Sequence, residues 1–299
     1  MTGACKFRFI PGIYYLFTLL LLSGCIAENT DDCFEGVPLK VNLPAGVQQE
    51  TIKDISLYVF DDKDLLLDIL PVNSTEPVTL NYPGIPTLHC VALGNTRDGA
   101  MLVSPLKKGD PCSDGFISLK PSASARAAET GFYTSPADLF YGELKIENNT
   151  TSNHPAEQSM DVSRMTASMN ITLRGLQKLT GTDDGNYSLV IRETSSRMDF
   201  SGNYGGAPAS YSPAMTLAAN KDFEVSMFRL FPTTNGSGLT IDIYHNRSLL
   251  KSITADGSGN PIVPVVGKTT NLLLNFEGSV GVEIEITGWG ETVVWKEYN

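Results

Sequence analysis

Two apolar patterns divide the chain. The first is continuous: residues 9–22 read FIPGIYYLFTLLLL, interrupted only by Pro11-Gly12 and Thr18. The second alternates, and it fills most of the sequence beyond Cys33. Ile55, Leu57 and Val59 fall on one side of an extended segment, with Ser56, Tyr58 and Phe60 on the other. Successive side chains of a strand point to opposite faces, so this spacing predicts a strand. The polar run Asp61-Asp62-Lys63-Asp64 predicts a turn and residues 65–70 a returning strand, which together make a hairpin. Val41 and Leu43 alternate in an earlier run, and further strands are expected at 78–82, 87–93, 116–119 and 139–146. The second half repeats the style at 160–173, 187–193, 223–231, 239–245, 248–254, 269–276 and 282–286. The last is the most regular, with Val282, Ile284 and Ile286 alternating with Glu283 and Glu285. A long 3.6-residue apolar period is missing; a single helical turn fits residues 176–180.

Short strands at this spacing, with 27 Gly and 17 Pro to turn between them, predict an all-β protein of antiparallel β-sandwiches. The 299 residues suffice for two domains of roughly 100–150 residues each. Residues 147–158 (ENNTTSNHPAEQ) are twelve polar or turn-forming positions in a row, a composition suited to an exposed linker. The expected order is therefore an N-terminal sandwich over 37–150, a linker over 151–158 and a C-terminal sandwich over 159–299.

The continuous apolar run has a different meaning. Its 14 residues are too few to cross a hydrocarbon core as a helix, which takes about 20. Lys6 and Arg8 precede it, and basic residues ahead of a short apolar run read as a signal peptide. The run ends in Leu22-Ser23-Gly24-Cys25, which matches the bacterial lipobox of an aliphatic residue, two small residues and cysteine. Small residues let the signal peptidase approach the backbone, and the Cys25 thiol is the nucleophile that accepts diacylglyceryl. Residues 1–24 are thus expected to leave, and residues 25–36 to form a lipidated tether. Bacterial lipoproteins resembling this one carry three acyl chains, palmitate among them, and each buried methylene contributes about 0.8 kcal/mol of membrane affinity. Ile26 follows the cysteine where Asp would commonly signal inner-membrane retention, so delivery to the outer membrane is expected.

Charge narrows the partners. The chain has 33 acidic and 22 basic side chains; without Lys6 and Arg8 it keeps 20 basic residues and a charge of 20 − 33 = −13. Such a surface repels phosphate backbones and anionic headgroups, which disfavours nucleic acid and leaves membrane attachment to lipid. Of five cysteines, Cys5 leaves with the signal peptide and Cys25 is acylated, so Cys33, Cys90 and Cys112 remain and at most one bridge forms within the chain. Cys90 lies in an apolar run and reads as a small core residue; Cys33 and Cys112 lie in Asp-flanked turns and are the preferred pair. His89, His154 and His245 are far apart and no CxxC exists, so no metal or other cofactor is expected. No GxSxG, HExxH, GxxxxGK[ST] or strand-to-helix GxGxxG occurs, and the acid turn at 61–64 lacks the glycine and distal glutamate of a calcium loop. An enzyme with a small-molecule substrate is not expected. Residues 202–206 (GNYGG) read as a mobile loop, with a sugar contact through Tyr204 the minority reading.

The ordered set of motifs adds a resemblance. After the lipobox come Asp31-Asp32-Cys33, ISLYVFDDKD at 55–64, DLFYGEL at 138–144, DVSRMTASMNITLRGL at 161–176 and FRLFPTT at 228–234. This order resembles the lipoprotein anchor subunits of Bacteroidales fimbriae, the minor-fimbrium anchoring subunit family. Phe34 stands where many relatives have Pro, and Leu93-Gly94 where many have Trp. The resemblance implies two tandem transthyretin-like sandwiches, a lipid-bound position at the fimbrium base in the outer membrane, a role in limiting fibre length, and a fimbrial stalk subunit as protein partner. It also implies that stalk subunits of this class are cut by an arginine-specific protease, which frees a strand and opens a groove for a neighbour's strand. Here no Arg occurs from Cys25 to Thr96, and the first is Arg97. That favours an anchor over a stalk subunit, with a tip adhesin or a surface glycan-binding lipoprotein as alternatives. Contact with the next subunit is expected through β-augmentation. The C-terminal residues 291–298 read first as core, because Trp289 and Trp295 bury large apolar area, and otherwise as an edge or donor strand.

Overall fold

The computed structural model describes residues 34–122, 132–148, 155–182, 186–278 and 280–295. The alternating runs become strands. In the first half these are β1 (Val37–Asn42), β2 (Ile55–Phe60), β3 (Leu66–Pro71), β4 (Val78–Leu80), β5 (Thr87–Gly94), β6 (Met101–Val103), β7 (Phe116–Leu119), β8 (Phe140–Glu147), β9 (Gln158–Asp161) and β10 (Ser163–Arg164). Two sheets, ordered β4-β1-β9 and β10-β8-β5-β2-β3, face each other. Val37, Leu39 and Val41 of β1 meet Leu57, Val59, Leu88, Cys90 and Phe140 in one buried cluster. The β2–β3 hairpin closes as its sequence predicts: the Asp61 carboxylate accepts the amides of Lys63 and Leu65, each at 2.9 Å. Such side-chain acceptance mimics a backbone turn and explains Asp at the turn's first position.

The second half contains β11 (Ala167–Arg174), β12 (Tyr187–Thr194), β13 (Arg197–Asp199), β14 (Tyr204–Gly205), β15 (Ala209–Tyr211), β16 (Met215–Leu217), β17 (Phe223–Leu230), β18 (Thr240–His245), β19 (Ser248–Ile253), β20 (Thr269–Asn275) and β21 (Gly281–Thr287). Its sheets run β16-β17-β11-β20-β21 and β15-β12-β18-β19, and the helical turn expected at 176–180 is found at Gln177–Thr180. The protein is thus all-β, with two sandwiches in tandem. Each half opens with a strand held between an antiparallel neighbour and a parallel strand from late in the same half: β1 between β4 and β9, β11 between β17 and β20.

Two features depart from the expected plan. The single strand expected at 160–173 is three, and the first two belong to the first half. Strand β9 pairs parallel with β1, with Asn42 opposite Asp161, and β10 pairs with β8. Pairing therefore changes hands after Arg164, not at 150–159. The polar run at 147–158 put the boundary ahead of Met160 and Val162, which alternate into the first core and are 1% and 4% exposed.

The halves also share a sheet. Order β14-β13-β7-β6 joins strands of both, with Arg197 opposite Ser118, Met198 opposite Ile117 and Asp199 opposite Phe116. Its apolar residues Met101, Ile117, Leu119 and Met198 share a cluster with Tyr58, Phe60, Val91 and Leu93 on the outer face of the first sandwich. Strand β2 is consequently buried at all six positions, one face in each cluster.

Candidate functional site

The expected lipid-attachment motif lies outside the described residues: Leu22, Ser23, Gly24, Cys25 and Cys33 all precede Phe34. Phe34 packs against the first core, and β1 begins at Val37. Twelve residues, the length expected for the tether, reach at most about 40 Å when fully extended at about 3.5 Å each. Strand β1 is the middle strand of its sheet, with Val37, Leu39 and Val41 at most 2% exposed. The first sandwich is thus completed by its own first strand.

Cys112 is buried in the turn Cys112–Asp114, where its amide donates to the Asp64 carbonyl at 2.8 Å. Burial, then the neighbouring Asp64, Glu143 and Asp199 carboxylates, push its thiol up to about 11. Cys90 is buried in the other cluster, as its apolar run predicts, and burial alone pushes its thiol up to about 12. Phe34, the neighbour of Cys33, packs on the Cys90 cluster, whereas Cys112 belongs to the cluster across the sheet.

A polar seam crosses the joint between the halves. His89 on β5 is 6% exposed, with Nδ1 2.7 Å from Asp64 Oδ1 and Nε2 2.9 Å from Glu143 Oε1. The second Glu143 oxygen accepts from the Tyr141 hydroxyl at 2.7 Å, and that hydroxyl also lies 3.0 Å from the Phe200 carbonyl of the second half. The Phe200 ring sits edge-on to Tyr58, centroids 4.8 Å apart. Arg164 makes a second clasp: its Nε donates to Asp138 at 2.8 Å, and its guanidinium stacks 5.4 Å from the Phe140 ring and 4.6 Å from Trp289. Burial raises the Asp138 carboxyl, and Arg164 opposes that shift. Arg197 lies 3.7 Å over Phe116, one more contact between halves. Apart from Tyr141 and Glu143, two residues apart on β8, these hydrogen-bonded partners are separated by 25 positions or more, too far for any local signal.

Other expectations resolve here. Tyr204 lies in β14, not in a free loop; its hydroxyl donates to the Met165 carbonyl at 2.5 Å, so the phenol is engaged in structure. His154 lies outside the described residues, and His245 stacks on Tyr187 at 4.8 Å. The C-terminal residues are not core: Trp289 and Trp295 are half-buried and Val294 is 90% exposed. Among the described residues, no group of three or more His, Cys, Asp or Glu is placed to hold a metal, and no helix is long and apolar enough to cross a membrane.

A first sandwich completed by its own first strand and a second sandwich clasped to it make a structural body without a metal cluster among the described residues. The sequence model for "Fimbrillin-A associated anchor proteins Mfa1 and Mfa2" matches residues 30–295, almost the whole chain. The protein belongs to this anchor family. A curated relative, the major fimbrium anchoring subunit FimB of Porphyromonas gingivalis strain W83, is 26% identical over 314 aligned positions, covering 97% of this chain and 98% of FimB. Among solved structures, the fimbrial anchor protein Mfa2 of the same species superposes with a TM-score of 0.58 at 15% identity, covering 84% of this chain and 97% of that one. A Bacteroides ovatus protein described as an adhesin gives a TM-score of 0.63 at 15% identity, covering 85% of this chain and 96% of that one. At these identities the structural likenesses establish the fold. In this anchor-family member, the surface left to weigh is the set of sheet edges, where unpaired backbone groups invite a further strand.

Most edges are guarded. Strands β4, β6, β15 and β16 have three residues each, and β10 and β14 have two. Strand β3 ends in Pro71, carries a bulge and is bonded at Leu66 to Gly109 and Asp110. Strand β9 is short at four residues, and β19 contains Lys251 and pairs across a bulge. Strand β21 differs. It pairs with β20 through seven consecutive partners without a bulge.

Proposed function

We propose that this protein anchors a fimbrium at its base: acyl chains on Cys25 hold it in the outer membrane at the cell surface, and strand complementation joins it to a stalk subunit. Membership of the anchor family carries this reading, and the state of β1 supports it. A stalk subunit must give up its first strand to open a groove. Here no Arg lies between Cys25 and Thr96, and β1 is paired on both sides. Extracting it would also expose Val37, Leu39 and Val41, at roughly 1.5–3 kcal/mol each. The chain between lipid and fold therefore stays uncut. A subunit that keeps its lipid and its first strand ends the fibre on the membrane side, which limits fibre length.

The test begins with the lipid. In cells fed radiolabelled palmitate, the wild-type protein takes up label and fractionates with outer membranes. The Cys25→Ala variant takes up none, leaves the membrane fraction, and its fibres are shed and longer. Wild-type protein without label, or Cys25→Ala protein still fully membrane-bound, overturns the reading.

A further inference from the structure

We propose that the outer edge of β21 is the surface on which this protein receives a strand from its fimbrial partner, and that the strand it fits alternates apolar with basic residues.

The inference rests on the anchor reading and names the edge that reading leaves open. In an antiparallel ladder, alternate residues turn both backbone groups toward the partner strand and the next ones turn both away. The Val282 carbonyl accepts from the Gly257 amide at 3.0 Å, so Val282 faces away from β20. Ile284 and Ile286, two and four residues on, face the same way. Their amides and carbonyls form the free edge of a long unbulged strand, while Gly257 stops that edge at Val282. Among the described residues, no backbone group beyond Gly257 bonds to this outer edge. After Thr287 the turn at Gly288 directs the chain back toward β20: the Gly290 amide donates to Thr269 Oγ1 at 3.0 Å, and Thr287 Oγ1 donates to the Glu291 carbonyl at 2.9 Å.

Side chains define the occupant. Val282 and Ile284 pack at the margin of the second core, and Ile286 beside them is 51% exposed. An added strand places every second side chain beside these residues, where an apolar group covers Ile286. The residues between lie opposite Glu283 and Glu285, both exposed on the other face. Opposite charges on directly facing positions stabilise a pair and like charges destabilise it, so Lys or Arg belongs there. The occupant is an extended segment of a partner subunit, about five residues long at the contact, with basic and apolar positions in alternation.

The full acylated chain in detergent is titrated with two fluorescent nine-residue peptides, Lys-Val-Lys-Ile-Lys-Val-Lys-Ile-Lys and its counterpart with Glu at every Lys. The Lys peptide is expected to bind at least tenfold more tightly. Ile286→Pro removes an outward amide while leaving the β20 ladder bonded, since that amide does not face β20. It should keep the wild-type circular dichroism and melting temperature and lose at least tenfold in Lys-peptide affinity. The double variant Glu283→Lys/Glu285→Lys should reverse the preference between peptides. Equal affinity for both peptides, unchanged binding by folded Ile286→Pro, or wild-type self-association abolished by Ile286→Pro overturns the proposal; the last makes a second copy the occupant. In cells, fibres still held by Ile286→Pro protein overturn the choice of edge while the anchor reading stands. Wild-type membranes without fibres would overturn the anchor reading itself.

Discussion

Two loops of this protein share four residues of five and almost every hydrogen bond, yet they do different things. Residues 199–203 read DFSGN and residues 256–260 read DGSGN. In the first, one Asp199 oxygen accepts the amides of Ser201 and Asn203, both at 2.9 Å, and the other accepts from the Asn203 side chain at 3.2 Å. In the second, Asp256 does the same with Ser258 at 2.9 Å, Asn260 at 2.8 Å and the Asn260 side chain at 3.1 Å. Gly202 and Gly259 adopt φ of 77° and 87°, a conformation that favours glycine. Asp, Gly and Asn therefore build the loop, and the second residue is left free. Phe200 uses that freedom as a knob, 1% exposed, between Tyr58 and Phe60 of the other sandwich. Gly257 uses it to bring its amide onto β21. One scaffold thus welds the two halves together, and its copy caps an edge strand.

The sharpest way to break this contrast is to remove the knob. Phe200→Ala should cost about 3–5 kcal/mol, the range for deleting a buried aromatic, and should let the two halves melt in separate steps. A loss below about 1 kcal/mol by chemical denaturation would show that the joint does not depend on the ring. The joint loop also places a charge near a buried thiol. Asp199 is among the charges that raise the Cys112 thiol from 9.0 to about 11. A thiol that ionises less readily folded than unfolded stabilises fully below pH 9, and that stability is lost as pH rises toward 11. For reduced protein the slope from this thiol approaches roughly 1.4 kcal/mol per pH unit, and Cys112→Ala should remove it. Gly115 probes the same socket from the opposite side, since a Cβ there would lie 2.4 Å from the Phe200 ring. Gly115→Ala should cost about 1–3 kcal/mol in chemical denaturation, as overpacking does, and less in a Phe200→Ala background, where the Cys112 carbonyl at 2.9 Å still crowds the new Cβ.

The joint explains what the sequence reveals and what it conceals. Alternation alone located β2, the 61–64 hairpin turn and β21, because a two-residue period is local and each strand carries it. The lipobox was equally local, although it lies outside the described residues. The joint has no local signature. Asp, Ser, Gly and Asn of the DxSGN loops are turn-forming residues, and nothing in either pentapeptide says that Phe200 enters a core formed by residues 140 positions away. Ile117 and Met198 pair across 80 positions, beyond the reach of any spacing rule. His89 looked like an isolated histidine because its partners come from a hairpin turn and from β8. Composition misled in two places. The polar run at 147–158 put the boundary ahead of Met160 and Val162, which complete the first core, and two tryptophans suggested a C-terminal core where Trp289 lies on Arg164 instead. Apolar content reports that a residue tends to be covered, not which surface covers it.

The smallest effect comes from giving the capping loop the knob of its twin. Gly257→Phe preserves every hydrogen bond made by Asp256 and Asn260, so loop geometry and global stability should be nearly unchanged. Its new Cβ would lie 3.2 Å from the Val282 carbonyl, a contact tight enough to shift the loop off β21. The amide at position 257 should then exchange with solvent faster than in wild type, while the amides at Ser258 and Asn260 keep their protection. Hydrogen exchange resolved by NMR distinguishes the two sets. If amide 257 stays protected, the residue in second position does not decide where this loop docks, and the division of roles between the twin loops fails. If it alone is released, the free edge of β21 lengthens by one carbonyl, and the fit to an added strand should improve rather than weaken.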